Sequence, residues 1–303
     1  MKVTESEFIY VKLDFPPGVI MIVIGGSASM PLAQALAKEM NVKLANVEIR
    51  KFPDQETYVR IHDDIKDEEV ILVQNAYPDD KIVELFLLQD AIEENGAKRL
   101  VTVIPYYGYA RQDKLFNPGE AISARGLAGH LELDCDMVMT IDIHTEEILE
   151  WFDIESKNIT AMNEIGKYLM DKGVELVISP DKGGIERAKT ASIAANCDFD
   201  ALEKKRIDSN TVEMKPIQAD VSGKTVAIVD DIISTGGTIM TAAKQLKARG
   251  AKTVLAACTH GLFVGDSFDR LRGICDGVIS TDTLPNPAPF VSVAPEIARA
   301  LTR

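Results

Sequence analysis

The sequence predicts an α/β protein of two tandem, duplicated domains, each a parallel sheet flanked by helices. Three observations predict it. Short apolar strand patterns alternate with helical patterns along the whole 303-residue chain, as in parallel sheets covered by helices. The chain repeats itself at an offset of about 154 residues: GVIMIVIGGSASMPLAQALA from Gly18 aligns with GVELVISPDKGGIERAKTAS from Gly173. A second matched pair follows in the same order. AIEENGAKRLVTVIP from Ala91 and QLKARGAKTVLAACT from Gln245 each place a helix, a Gly stop and an apolar strand. The predicted domains are 1–155 and 156–303, with enough length for a sizeable core in each.

Composition excludes several classes. At 46% apolar and 26% charged the chain reads as a soluble globular protein. No apolar run reaches the roughly 18 residues of a membrane span. The opening MKVTESEFIYVKLDF has no signal-peptide core, so a cytoplasmic location is expected. A formal charge of −14 argues against a nucleic-acid-binding surface and suits an enzyme that uses Mg²⁺ to bring anionic substrates to an acidic protein. Cys135, Cys197, Cys258 and Cys275 lack metal-ligand spacing and read as thiols of a reducing compartment.

Along the first half, the unit from Gly18 is a strand, a small-residue loop and a helix with alanines on one face. KFPDQETYVRI (Lys51–Ile61) reads as a turn before a strand, with Phe52 offering a ring face and Asp54 and Glu56 offering carboxylates. The segment Gln74–Asp80, QNAYPDD, follows an apolar strand without glycines. IPYYGYARQDK (Ile104–Lys114) carries Arg111 and Gln112, and an Arg there is suited to charge-assisted phosphate contacts. DIHTEE (Asp142–Glu147) closes a strand with acids and His144; His62, His130 and His260 lie in no comparable motif and read as structural.

In the second half, SPDKGGIERA (Ser179–Ala188) puts Asp181 at a strand end. The stretch from Asp198 to Asn210 has no apolar periodicity and predicts a mobile loop, carrying Lys204, Lys205 and Arg206. On an extended strand the i, i+2 spacing puts Lys204 and Arg206 on one face. Val226–Thr238, VAIVDDIISTGGT, is the most informative segment of the chain. An apolar strand ends in Asp230 and Asp231, and Ser234, Thr235, Gly236, Gly237 and Thr238 lead into a helix. The glycines let the backbone approach an anion, the helix start presents unpaired N–H groups, and the hydroxyls add donors. The acids cannot bind phosphate, so they face sugar hydroxyls or Mg²⁺. The pattern predicts a sugar-phosphate site in the second half, with Gln74–Asp80 as its degenerate counterpart.

The VAIVDDIISTGGT loop resembles that of type I phosphoribosyltransferases and of ribose-phosphate pyrophosphokinases. FPDxE, YARQD, DIHTEE and SPDKGG together resemble the pyrophosphokinases, over roughly residues 20 to 285, and the short EKKRID segment is similar to archaeal members. The resemblance implies two phosphoribosyltransferase-like domains and diphosphoryl transfer from ATP to ribose 5-phosphate, giving phosphoribosyl diphosphate and AMP. It implies ATP contacts at Phe52, Asp54, Glu56, Arg111 and Gln112, often across a subunit boundary. Mg²⁺ falls to His144 and Asp181, and the catalytic role to Lys204 with Arg206. Ribose 5-phosphate falls to Arg206, Asp230, Asp231 and residues 234–238. A homo-oligomer, a dimer or an assembly of dimers, is implied as well.

Three positions depart from the family pattern: Gln55 where Gly is usual, Lys182 where bacterial members have His, and Ser234-Thr235 where Asp-Thr is usual. Neither a Walker A pattern nor GxGxxG occurs. A phosphoribosyltransferase would share the second-half loop but need neither FPDxE nor YARQD. A non-catalytic regulatory homologue would lack the loop lysine, the histidine or the acids, and all are present.

Overall fold

Every central strand alternates between two apolar faces, and this decides the architecture. In the computed structural model, which describes residues 21–202, 204–206, 212–214 and 219–302 (for 204–206 and 212–214 the backbone alone), two six-stranded parallel sheets lie in tandem. The first half runs β1 (Met21–Gly25), α1 (Met30–Met40), β2 (Lys43–Leu44), a hairpin of β3 (Val47–Lys51) and β4 (Thr57–Ile61), and β5 (Glu69–Val73). It continues through α2 (Asp79–Glu94), β6 (Arg99–Ile104), α3 (Ser123–Leu131), β7 (Met137–Ile141), β8 (Glu155–Ile159) and α4 (Met162–Asp171). The second half opens with β9 (Leu176–Ser179), α5 (Ile185–Ala195), β10 (Asp198–Ala201), and β11 (Lys204–Arg206) paired antiparallel with β12 (Val212–Met214). It ends with β13 (Thr225–Ile233), α6 (Gly237–Ala248), β14 (Thr253–Gly261), α7 (Ser267–Arg272), β15 (Gly277–Thr281), β16 (Phe290–Val291) and α8 (Ala294–Thr302).

The sheet orders are β2-β1-β5-β6-β7-β8 and β10-β9-β13-β14-β15-β16, the same topology twice. The duplication read from the sequence is therefore a structural repeat. Val23, Ile71, Val73, Val101 and Val103 face one way and join a core that also holds Val177, Ala227, Val229 and Ala257 of the second sheet. The intervening residues Ile22, Ile24, Val70, Leu72, Leu100 and Ile104 face the other way, into a core of the first half alone. Leu176, Ile178, Val226 and Ile228 do the same in the second half. The inner faces of the two sheets are thus joined through one shared apolar layer.

That layer is built by exchange. Helix α4, which ends the first repeat, packs on α5 of the second, and α8, which ends the second, packs on α1 of the first. Gly166 sits at the α4–α5 crossing, where a Cβ would lie 2.4 Å from the Ala191 carbonyl oxygen. Each exchanged helix is latched at its start by an aspartate that follows a sheet strand. Asp142 accepts the Ala161 N–H at 2.9 Å, and Asp282 accepts the Val293 N–H at 2.8 Å.

Of the stretch expected as a loop from Asp198 to Asn210, Asp198–Ala201 and Lys204–Arg206 form strands, while 203 and 207–210 lie outside the described residues. β10 pairs with β9, from Asp198 opposite Leu176 to Ala201 opposite Ser179, and the backbone of Lys204–Arg206 pairs with Val212–Met214. An edge strand is fixed by the partner that satisfies its backbone, so its own apolar periodicity can be weak. The four cysteines are unpaired thiols. Among the described residues no helix is long and apolar enough to cross a membrane.

Candidate active site

The parallel strands of both sheets end at one cleft, where ligands of open α/β sheets bind. Strand β13 carries four fully buried residues, Val226 to Val229, and then delivers Asp230 and Asp231. Helix α6 starts at Gly237 on Gly236, whose φ of 72° is left-handed. A Cβ at Gly236 would lie 3.0 Å from the Leu271 side chain, so glycine is needed for the turn and for the space. Among the described residues no side chain caps this helix start, which leaves its first amides for an anion. The loop itself is tied down: Val264 N–H and Ser267 Oγ donate to the Ser234 carbonyl, and Arg270 donates to the Thr235 carbonyl.

The cleft has a volume of about 510 Å³. Ser234, Thr235, Gly236, Gly237 and Thr238 form one wall, Asp181, Asp230 and Asp231 the floor, and Arg111, His144 and Thr145 of the first half the opposite side. The structure therefore brings together ten of the residues singled out in the sequence, from both halves.

His144 reaches the cleft through a corner built by its neighbours. Asp142 has a left-handed φ of 41°, unusual for a residue with a side chain, and is held there from several directions. Its carboxylate accepts Thr259 Oγ at 2.6 Å and the Ala161 N–H, while its own N–H donates to the Ile159 carbonyl. Ile143 N–H donates to Asn158 Oδ1 at 3.0 Å. The His144 ring then lies with Nδ1 2.7 Å from Asp231 Oδ2.

Arg187, on the first turn of α5, completes the corner. It pairs with Asp231 Oδ2 at 3.3 Å and donates to the carbonyls of Ile143 and His144. Burial opposes the charge on Asp231, but the His144 hydrogen bond and the Arg187 guanidinium outweigh it and hold the carboxyl well below the usual range. Asp230 goes the other way. Burial, then the Asp231 charge, then Asp181 push its pKa well up. Two of three adjacent carboxylates are thus in conflict, a surplus of negative charge that a cation would relieve. Asp181 lies at the start of a short 3-10 turn, Lys182–Gly184, with Oδ1 accepting Gly183 N–H at 3.0 Å. Among the described residues no three His, Cys, Asp or Glu side chains are grouped so as to hold a metal by themselves.

The remaining expectations lie elsewhere. Phe52, Asp54 and Glu56 stand at the exposed tip of the β3–β4 hairpin and do not line the cleft. There Phe52 stacks edge-on against Tyr58 at 5.6 Å, with Arg50 over both rings. Gln55, at φ 75°, occupies the left-handed position of this turn, which explains why glycine is the usual residue. Gln112 turns away from the cleft and donates to Glu120 and to the carbonyls of Lys114 and Ala121, bracing the loop after Arg111. The side chains of Lys204 and Arg206 lie outside the described residues; their backbone forms β11. Arg187, Thr145 and Gly183 line the cleft and were not singled out in the sequence. Arg187 follows the glycine turn by one helical turn, and that spacing was the available signal.

The first-half counterpart of the sugar-phosphate loop is closed. Gln74 and Asn75, both fully buried, stand where the second half has Asp230 and Asp231. Asn75 donates to the Thr283 carbonyl of the second half and accepts the Tyr106 N–H. Beside it the Glu84 carboxylate accepts Ser27 N–H and Oγ, both at 2.7 Å, Gln74 Nε2 at 2.9 Å and Lys81 Nζ at 3.1 Å. An internal anion fills the space.

Comparison with known proteins agrees with this division. A family model for the N-terminal domain of ribose phosphate pyrophosphokinase matches residues 21–133, and one for the phosphoribosyl transferase domain matches 144–272. The chain is 42% identical to a ribose-phosphate pyrophosphokinase of Pyrococcus furiosus over 286 residues, covering 93% of this chain and 100% of that one. It is 40% identical to one of Methanopyrus kandleri over 287 residues, covering 93% and 98%. The crystal structure of phosphoribosylpyrophosphate synthetase from Mycobacterium smegmatis superposes with a TM-score of 0.80 at 30% identity, covering 93% of this chain and 97% of that one.

Proposed function

The chain belongs to the ribose-phosphate pyrophosphokinase family and transfers the diphosphoryl group of ATP to the C1 hydroxyl of ribose 5-phosphate; we propose that it does so in the cleft between its two halves. The products are 5-phospho-α-D-ribose 1-diphosphate and AMP, for nucleotide biosynthesis. One observation carries the placement: an uncapped α6 N-terminus with its hydroxyl-and-glycine loop faces Arg111 and His144 of the other half across one cavity.

In this reading the 5-phosphate rests on the amides and hydroxyls of residues 234–238, and Asp230 accepts from the sugar hydroxyls. Arg111 holds the polyphosphate of ATP with a fixed guanidinium fork. The attacking oxygen of C1 forms a bond to the β-phosphorus as the bond from that phosphorus to the AMP oxygen breaks. Such transfer depends on positioning and on neutralising charge. Lys204 and Arg206, carried on β11 of the hairpin after β10, are assigned to the transferring group, with Arg206 also toward ribose 5-phosphate.

The donor set fits Mg²⁺. His144 and Asp181 border the cleft beside the raised Asp230, and a hard cation that keeps waters and substrate oxygens needs only a few protein ligands. When bound, Mg²⁺ supplies charge neutralisation and orientation of the phosphate oxygens. The Phe52–Glu56 tip is exposed and outside the cleft wall, which supports a homo-oligomer in which the adenine meets Phe52, Asp54 and Glu56 of a second copy, while Gln112 braces Arg111. We assign the protein to the cytoplasm, and place the division of the repeats, expected between residues 155 and 156, after α4, since β8 (Glu155–Ile159) completes the first sheet.

The test is direct. Incubation with ATP, Mg²⁺ and ribose 5-phosphate should release AMP only when the sugar phosphate is present. Asp230→Ala should raise the KM for ribose 5-phosphate about tenfold or more while ATP binding persists. AMP released without the sugar, or an unchanged KM for it, would refute the assignment.

A further inference from the structure

We infer that Asp231 is a positioning residue for His144: it fixes which ring nitrogen carries the proton and so aims the other at the cation site, while Asp230 alone of the pair serves the sugar. This rests on the reading of His144 as a metal ligand.

Both oxygens of Asp231 are committed inside the protein. Oδ1 accepts the Ile232 N–H at 2.9 Å, and Oδ2 lies 2.7 Å from His144 Nδ1 and 3.3 Å from Arg187. The residue is 4% exposed. Three of the roughly four acceptor positions of this carboxylate are therefore taken by the protein, which leaves little capacity to accept from a sugar. Both carboxylates line the cleft, but Asp231 is the one tied to His144 and Arg187, whereas Asp230 accepts the Asp231 N–H at Oδ1 at 3.0 Å. Asp230 is the more exposed of the two.

An ionised carboxylate only accepts, so the hydrogen bond places the ring proton on Nδ1. The tautomer is assigned from the partner. Nε2 then keeps its lone pair, and among the described residues it has no hydrogen-bond partner. Metal-binding imidazoles commonly give their second N–H to a carboxylate, which sets the tautomer and the ring orientation. Arg187 strengthens the arrangement in two ways. It pairs with the same Asp231 oxygen, and it donates to the Ile143 and His144 carbonyls, so the ring and the backbone beneath it are held by one cluster.

The experiment reads the ring directly. In the metal-free full-length protein, ¹⁵N–¹H correlation spectra of the imidazoles at mildly alkaline pH should show the His144 proton on Nδ1. The signal is assigned by its loss in His144→Gln. Asp231→Asn should move the proton toward Nε2, because a neutral amide no longer favours an N–H at Nδ1 as the carboxylate does, and an NH₂ placed toward the ring can only donate to it. An Asp-to-Asn change beside a catalytic histidine elsewhere has this effect. In turnover with Mn²⁺ as the probe, Asp231→Asn should raise the half-saturating metal concentration about 10- to 100-fold, with the KM for ribose 5-phosphate changed by no more than about twofold. A wild-type ring protonated on Nε2, or a KM for ribose 5-phosphate that rises as far as the metal requirement, overturns the proposal. His144→Gln separates the two layers. If it leaves the Mn²⁺ requirement unchanged while the wild-type proton sits on Nδ1, the metal reading fails and the orientation by Asp231 stands.

Discussion

His260 is buried in the seam between the halves, where it joins them without touching the cleft. Nε2 donates to the Ile141 carbonyl of the first half at 2.9 Å, Nδ1 lies 2.9 Å from Thr283 Oγ, and the ring meets Tyr106 edge-on at 5.0 Å. Burial lowers its pKa below the ordinary 6.5, against the pull of the Asp142 and Asp231 charges. The sign follows. The folded state holds a neutral ring, the unfolded chain takes up a proton below about pH 6.5, and stability is complete above that pH and lost as pH falls toward the folded pKa. Asp230, with its raised pKa, gives the opposite slope from the ordinary carboxylate range upward, so the informative comparison is with a variant. Urea unfolding of the wild type should lose up to about 1.4 kcal/mol per pH unit below pH 6.5, and His260→Gln should lose that slope. Equal slopes would mean that the ring already shares its proton with solvent. The residue scale was partly legible in the sequence. His144 stood out because acids surround it at a strand end, whereas Arg187 did not, because its partners Asp231 and the 143–144 carbonyls are distant in the chain. The left-handed Asp142 left no trace either, since nothing in Asp-Ile-His reports the backbone angle that Thr259 and Ala161 impose.

At the scale of elements, the two repeats show how one design was kept and one disabled. β13 leads through glycines into an open helix start, while β5 leads through buried amides into α2, whose first turn carries Asp79 and Asp80. Acids at a helix N-terminus interact well with the helix and repel a phosphate. Glu84 then takes the donors of Ser27, Gln74 and Lys81 that a bound anion would have used. Glu84→Ala should leave the buried Gln74 amide without its acceptor, at a cost of about 1–3 kcal/mol for a buried polar group, while Ser27 is open to solvent and Lys81 keeps Asp80 and Ser27 Oγ. Because the vacancy is lined with donors, acetate should restore part of the lost Tm of Glu84→Ala while leaving the wild type unchanged. No gain over the wild type with acetate would mean that the loop collapses rather than keeping an anion-shaped space. The sequence revealed the missing glycines at Gln74–Asp80 but not the occupant, because Glu84 lies in an ordinary helical pattern and becomes a ligand only when α2 packs beside the β1–α1 loop.

For the whole molecule, the repeats are legible in the sequence and their dependence on one another is not. Self-alignment finds two αβ units and a cut near residue 155, but β8 of the first sheet spans Glu155–Ile159, and α4 and α8 each pack on the opposite repeat. Periodicity marks which face of a helix is apolar without saying which sheet that face meets. Leu32, Leu36, Val177, Ile297 and Leu301 share one core with Val23 and Val229, so neither half completes its inner face alone. The halves should therefore unfold together. Trp151, the single tryptophan, lies against the core of the first half and reports there, while far-ultraviolet circular dichroism reports all helices. Denaturant curves from the two signals should coincide. Leu301→Ala, fully buried near the C-terminus, should cost about 2–5 kcal/mol and move the Trp151 transition as far as the dichroism transition. If Trp151 keeps its wild-type midpoint while the dichroism shifts, the exchanged helices fail to couple the repeats. Coupling of this kind also bears on the chemistry. His144 and Asp231 meet across the halves at 2.7 Å, and Thr259 reaches Asp142 at 2.6 Å, so any loosening of the shared layer separates the cation corner from the sugar loop. Leu301→Ala, far from either substrate, should accordingly lower kcat before it lowers the folded fraction, measurable as turnover at temperatures where the dichroism is still native.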